Sequence, residues 1–158
     1  MTSELQADQP SHDSQTWHHL GSATELASAR KKRVRVGGRD IAVFHHKGQF
    51  YALDWRCYHA GGPLHQGDIE ELPDGTACLI CPWHGYRIGL ASGEGFYRPA
   101  NPTGSAPTSD WCSKGVRQRM HHVEVRPDES VHVALSDLKS PRESDRYASR
   151  KPKKATFK

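Results

Sequence analysis

Apolar residues recur at every second position through most of the middle of the chain. Val34 and Val36, then Ile41 and Val43, flank Gly37-Gly38-Arg39-Asp40. That pattern predicts a β-hairpin, because alternation buries one face of each strand and paired glycines tolerate the left-handed backbone of a tight turn. Phe44, Phe50, Tyr51, Leu53 and Trp55 carry the alternation across a Lys47-Gly48 turn. Thr76 to Ile80 reads as a short strand entered from Pro73-Asp74-Gly75, and Tyr86, Ile88 and Leu90 alternate up to Gly93-Glu94-Gly95. Val116 to Val125 and Val131 to Leu135 predict a last strand pair around Pro127-Asp128. The one helical stretch, Thr24 to Ala29, is a single turn. Arg98 to Gly115, rich in Pro, Ser, Thr and Gly, reads as a long surface loop. The expectation is an all-β domain over residues 17–136.

Composition places the remainder. Only 35% of the 158 residues are hydrophobic, and the deficit lies at the two ends. Residues 1–16 and 137–158 are polar and charged, so both are expected to be disordered tails. The net charge of +4 is mainly a tail effect: residues 139–158 carry eight basic and two acidic side chains, which leaves −2 for the rest. A solvated tail is therefore favoured over a nucleic-acid or membrane partner. No apolar run reaches the length of a membrane span. Met1 to Thr16 has no apolar signal core and carries Glu4, Asp8 and Asp13 without any Lys or Arg, so a cytoplasmic, reducing location is expected. Of four cysteines, Cys78 lies in a predicted strand and is expected to be a small buried thiol, and Cys112 is expected in a loop. A disulfide framework is not expected in such a compartment.

The remaining two cysteines carry the chemistry. Cys57-Tyr58-His59 and Cys81-Pro82-Trp83-His84 each pair one thiolate with one imidazole, thiolate first. Gly61 and Gly62 follow the first pair and Gly85 the second, where side chains would block backbone N–H groups from approaching a cluster's sulfurs. Pro63 and Pro82 stiffen the loops. Two such loops facing each other could place both sulfurs on one iron and both rings on a second. A structural Cys₂His₂ zinc site uses the same donors, but it usually pairs Cys with Cys and His with His.

At these loops the sequence resembles the Rieske [2Fe–2S] family. Arg56-Cys57-Tyr58-His59-Ala60-Gly61-Gly62-Pro63-Leu64, with Gly67 beyond, resembles its first box, and Cys81-Pro82-Trp83-His84-Gly85 its second. The resemblance implies three stacked antiparallel sheets with the cluster in a small subdomain. It implies one [2Fe–2S] cluster per chain, held by Cys57, His59, Cys81 and His84. Leu64-His65-Gln66-Gly67-Asp68-Ile69-Glu70, Gly93-Glu94-Gly95 and Trp111-Cys112-Ser113-Lys114-Gly115 narrow it to the small stand-alone, ferredoxin-like branch. Gly62 and Trp83 stand where the respiratory and photosynthetic branch carries a disulfide, and Tyr86 and Ile88 where that branch carries a Ser and a Tyr that raise the potential. Two ferric ions, two sulfides, two thiolates and two neutral imidazoles sum to a neutral oxidised centre that one electron makes −1. The family spans roughly −150 to +300 mV, and the replacement of that Ser and Tyr implies a place near the bottom for this chain.

The functional expectation is a monomeric one-electron carrier between a reductase and an oxygenase or similar acceptor, with no nucleic-acid or membrane partner and no catalytic residue of its own. A cluster-dependent redox-sensing adaptor is the alternative. A Rieske oxygenase would need a further large domain with a mononuclear iron. His65 is expected near the cluster without being a ligand, His121-His122 to present one ring outward, and Arg30 to Arg33 to form a solvated turn.

Overall fold

The computed structural model describes residues 15–100 and 110–148. Residues 1–14 and 149–158 of the expected tails and the middle of the expected loop lie outside the described residues. The order is β1 (His18–Ser22), α1 (Ala23–Ala29), β2 (Lys31–Val36), β3 (Arg39–His46), β4 (Gln49–Asp54), β5 (Ile69–Glu71), β6 (Ala77–Ile80), β7 (Arg87–Gly89), β8 (Glu94–Tyr97), β9 (Cys112–Val116), β10 (Met120–Val125) and β11 (Ser130–Ala134). The chain is thus mostly β with antiparallel sheets. A six-stranded sheet runs β1-β11-β10-β4-β3-β2 and a five-stranded sheet runs β5-β6-β7-β8-β9. The larger sheet is two joined through β10, which pairs with β4 only at Met120 and His121 and with β11 from His122 to Val125.

The two central hairpins follow the sequence pattern closely. Gly37 and Gly38 (φ 55° and 81°) turn β2 into β3, and Lys47 and Gly48 (φ 48° and 78°) turn β3 into β4. Two positive φ values in succession match the twist of paired strands. β3 is buried on both faces, which explains its unbroken apolar run. Ile41 and Val43 enter one core with Val36, Ala52 and Val133. Ala42 and Phe44 enter the other with Leu53, Trp55, Leu64, Leu79, Ile88 and Leu90. Both Cys57 and Cys81 belong to that second core.

Several expectations need correction. Cys112 sits half-buried in β9 rather than in a loop. The strand expected over Val116–Val125 breaks at Arg117 and Gln118, whose N–H groups both donate to the Gly93 carbonyl at 3.0 Å. Arg30 ends α1 with φ 66° and Lys31–Val36 is strand, so no solvated turn spans Arg30–Arg33. Residues 137–148, expected within the tail, pack on the domain. A 3₁₀ turn over Glu143–Tyr147 buries Ser144, and Ala148 behind it is buried too. What composition could not reveal is that the acidic Asp145 of this polar stretch meets two arginines of the domain.

Candidate metal centre

β4 delivers one loop and β6 the other, and the two loops are built alike. The Cys57 N–H donates to the carbonyl of Gly62 (2.8 Å), five residues on, and the Cys81 N–H to that of Tyr86 (2.8 Å), also five on. Gly61 and Gly85, each four residues after its cysteine, donate back to the cysteine carbonyl at 2.8 and 2.9 Å. Each has a left-handed φ, +80° and +72°, which a residue with a Cβ adopts only under strain. The resulting curl aims backbone N–H groups at sulfur. The Cys57 sulfur accepts from His59 and Ala60, and the Cys81 sulfur from Trp83 and His84. The bridge between Arg56 and Pro63 closes the first loop, and β6–β7 pairing closes the second.

Facing each other, the loops sort their donors. The Cys57 and Cys81 thiols are buried and hydrogen-bonded to one another. That bond, with burial, raises the Cys57 thiol, while the bond from Cys57 pulls Cys81 down to about 6. Metal ligation would require both thiols as thiolates. The His59 and His84 rings are exposed and meet edge to face, with centroids 4.9 Å apart. A Cβ on Gly62 would lie 2.6 Å from the Cys81 sulfur, so the space between the loops requires glycine there. Two sulfurs inside and two rings outside fit a two-iron cluster with split ligation.

Other residues hold this arrangement. Gln118 is fully buried and donates from Nε2 to the carbonyls of Asp54 (2.9 Å) and Arg56 (2.8 Å). Its Oε1 accepts from the Tyr58 N–H at 2.9 Å, so one amide spans the entry to the Cys57 loop. Tyr86 stacks on His59, centroids 3.9 Å apart and planes 20° from parallel. Lys114 Nζ lies over the rings of Tyr86 (4.6 Å) and Tyr58 (5.6 Å), and among the described residues no carboxylate pairs with it. The buried Tyr58 hydroxyl is pushed up, first by burial. Gln118, Tyr86 and Lys114 escaped the sequence reading as site residues. Only Tyr86, two residues beyond His84, carried a local signal.

The other candidates fall outside the centre. The His65 ring accepts from the Trp55 indole N–H and is no part of the donor set. Cys78 is buried in β6, its thiol raised to about 11 first by burial. Ile88 lies in the core and offers no hydroxyl. Trp83, by contrast, is 54% exposed beside His84.

The fold and the loops define a Rieske-type iron–sulfur protein. Residues 19–138 match the model of the soluble Rieske-type ferredoxins, and the chain belongs to that family. It is 43% identical over 129 residues to a human Rieske domain-containing protein, an alignment covering 82% of this chain and 81% of the relative. A chain in the complex of reduced oxygenase and oxidized ferredoxin of carbazole 1,9a-dioxygenase matches with a TM-score of 0.53 and 26% identity, over 75% of this chain and 92% of that one. The ferredoxin of carbazole 1,9a-dioxygenase from Nocardioides aromaticivorans IC177 shares the fold, with a TM-score of 0.56 and 20% identity over 77% and 99% of the two chains. Among the described residues no helix is long and apolar enough to cross a membrane.

Proposed function

We propose that Cys57 and Cys81 hold one iron of a single [2Fe–2S] cluster, that His59 and His84 hold the other, and that the protein is a low-potential one-electron carrier between a reductase and an oxygenase or similar acceptor. The carrying observation is the sorting of donors into a buried thiol pair and an exposed imidazole pair. The cluster would supply reversible one-electron chemistry. The protein's part is to keep water from the sulfurs with Leu64, Tyr58 and the core, to aim N–H groups at them, and to bring the two rings to the surface where a partner can approach. A mononuclear zinc site would gather all four donors on one point. Here the thiol pair is buried and the imidazole pair exposed, so the four groups are sorted into two pairs. The low potential rests on Ile88 being buried in the core and on Tyr86 spending its ring on His59. The ferredoxins of carbazole dioxygenase support the choice of acceptor.

Electron paramagnetic resonance of the dithionite-reduced protein tests this. A one-electron-reduced two-iron cluster is paramagnetic, and pulsed spectra should show two directly bound nitrogens. Silence in every redox state, as zinc would give, sinks the cluster assignment. A midpoint above about +100 mV, in the upper part of the family range, sinks the low-potential assignment.

A further inference from the structure

The two cysteine loops share one hydrogen-bond pattern but not one environment. Over the second loop, a Cβ at Gly85 would meet nothing within 4 Å. Over the first, a Cβ at Gly61 would lie 2.9 Å from Cδ1 of Tyr147. The Tyr147 ring therefore rests on the glycine that curls the His59 loop. Its hydroxyl donates to the His59 carbonyl at 3.2 Å. Tyr147 lies beyond residue 138, where the match to the ferredoxin family ends.

The segment that brings it there is anchored firmly. Asp145 accepts from Arg119 Nε (2.7 Å) and Nη2 (2.8 Å) and from Arg39 Nη2 (2.5 Å). The buried Ser144 hydroxyl donates to Asp54 (2.5 Å) and accepts the Arg119 N–H (3.0 Å). Glu143 pairs with Arg117, and the Ala148 carbonyl accepts from the Asp40 N–H at 3.4 Å. With Glu143, Ser144 and Asp145 anchored before it and Ala148 after it, Tyr147 has less conformational entropy to lose when it makes its own contact. Gln118 grips the same loop from the inside through the Tyr58 N–H.

Building on the cluster reading above, we propose that Arg142–Ala148 is a clasp on the His59 loop and that Tyr147 is a positioning residue that sets the orientation of the His59 imidazole. The peptide it bonds is the one that carries that ring. Among the described residues the loop of His84 has no such cover, so the two imidazoles are held unequally: His59 is fixed between Tyr86 and the clasped peptide, and His84 is the freer edge.

The test compares the intact holoprotein with Tyr147→Ala, Tyr147→Phe and a chain ending at residue 148. The readouts are the nitrogen couplings of the reduced cluster, iron loss to a chelator and the melting temperature. Tyr147→Ala should change one nitrogen coupling and leave the other as it was. It should also speed iron loss about tenfold, the loss of one hydrogen bond plus ring packing. Tyr147→Phe keeps the ring and should recover most of that rate without restoring the coupling. The chain ending at 148 should match the wild type in all three. Wild-type couplings in both Tyr147 variants, even with a lower melting temperature, overturn the proposal while leaving the cluster reading intact. A wild type that shows no nitrogen couplings overturns both.

Discussion

Two neighbouring regions, the cysteine loops and the charged network at the end of β4, hold this protein together in opposite ways. Each loop is local: six residues from Cys57 to Gly62, or from Cys81 to Tyr86, close on themselves, and the donors are spaced by one or two residues. The network is assembled from five distant stretches. Asp54, fully buried, accepts from Arg39 Nε (2.7 Å) and Nη2 (2.6 Å), from His121 Nε2 (2.8 Å) and from Ser144. Arg39 and Arg119 meet at Asp145. His121 accepts the Ser136 N–H at Nδ1 (3.1 Å), so its proton sits on Nε2 and the ring is neutral. Two carboxylates then face two guanidinium groups, a balanced set whose desolvation is offset only while every member is present. The loops read as sites for chemistry, and the network secures the strand end and the C-terminal clasp beside them.

The largest expected effect separates the regions outright. Cys57→Ser or His84→Ala should abolish the cluster, seen as loss of visible absorption and bound iron, while the far-ultraviolet spectrum keeps its β signature. Loss of folded structure in both variants would mean the loops are not the separable unit described. Next, Asp54→Ala leaves Arg39, His121 and Ser144 without their shared partner and should cost about 3–5 kcal/mol in denaturant unfolding, the usual cost of breaking a buried pair from one side. The remaining folded protein should still bind iron. An effect below about 1 kcal/mol would show that water replaces the carboxylate easily.

Acid should act on the network first. His121 has its pKa lowered, mainly by burial. The unfolded chain therefore binds its proton first, and stability is complete above about pH 6.5 and falls as pH drops below that value. Burial pushes Asp54 up, but the bonds from Arg39, His121 and Ser144 prevail and hold it low; Asp145 is lowered chiefly by Arg119. Their contribution is present above about pH 3.9 and is lost below it, as pH falls through their folded values. A melting temperature that drops in two stages on acidification checks this, and His121→Gln should remove the upper stage. The smallest effect belongs to the loops. Lys114→Met removes a cation lying over the Tyr86 ring that stacks on His59, and should lower the midpoint potential by less than a tenfold shift in equilibrium, about 59 mV. Lys114→Arg should restore it, and a potential that rises instead would show the ammonium does not favour the reduced state.

The same contrast governs what could be read in advance. The Gly37-Gly38 and Lys47-Gly48 hairpins were legible because turn chemistry and period-two burial are both local. The Cys57/His59 and Cys81/His84 spacings are local too, and the fold brings the two thiols together and the two rings together. β8, with Gly95 inside it, and β9, with Gly115 near its end, were not legible, because short polar strands form only when a partner edge is offered. Gln118 gave no sign either: a polar residue between two arginines looks solvated until three backbone groups 60 to 64 residues away surround it.

The sheet-forming alternation, the two loops and the thiol and imidazole types are written locally in the chain, since backbone curl and side-chain chemistry depend on residues a few positions apart. That the sulfurs turn inward and the rings outward, that a buried charge set joins Arg39 to Asp145, and that Tyr147 lies on Gly61 emerges in three dimensions. Those features depend on which distant groups share one desolvated space, where an unpaired charge or N–H is expensive, and no local pattern records that.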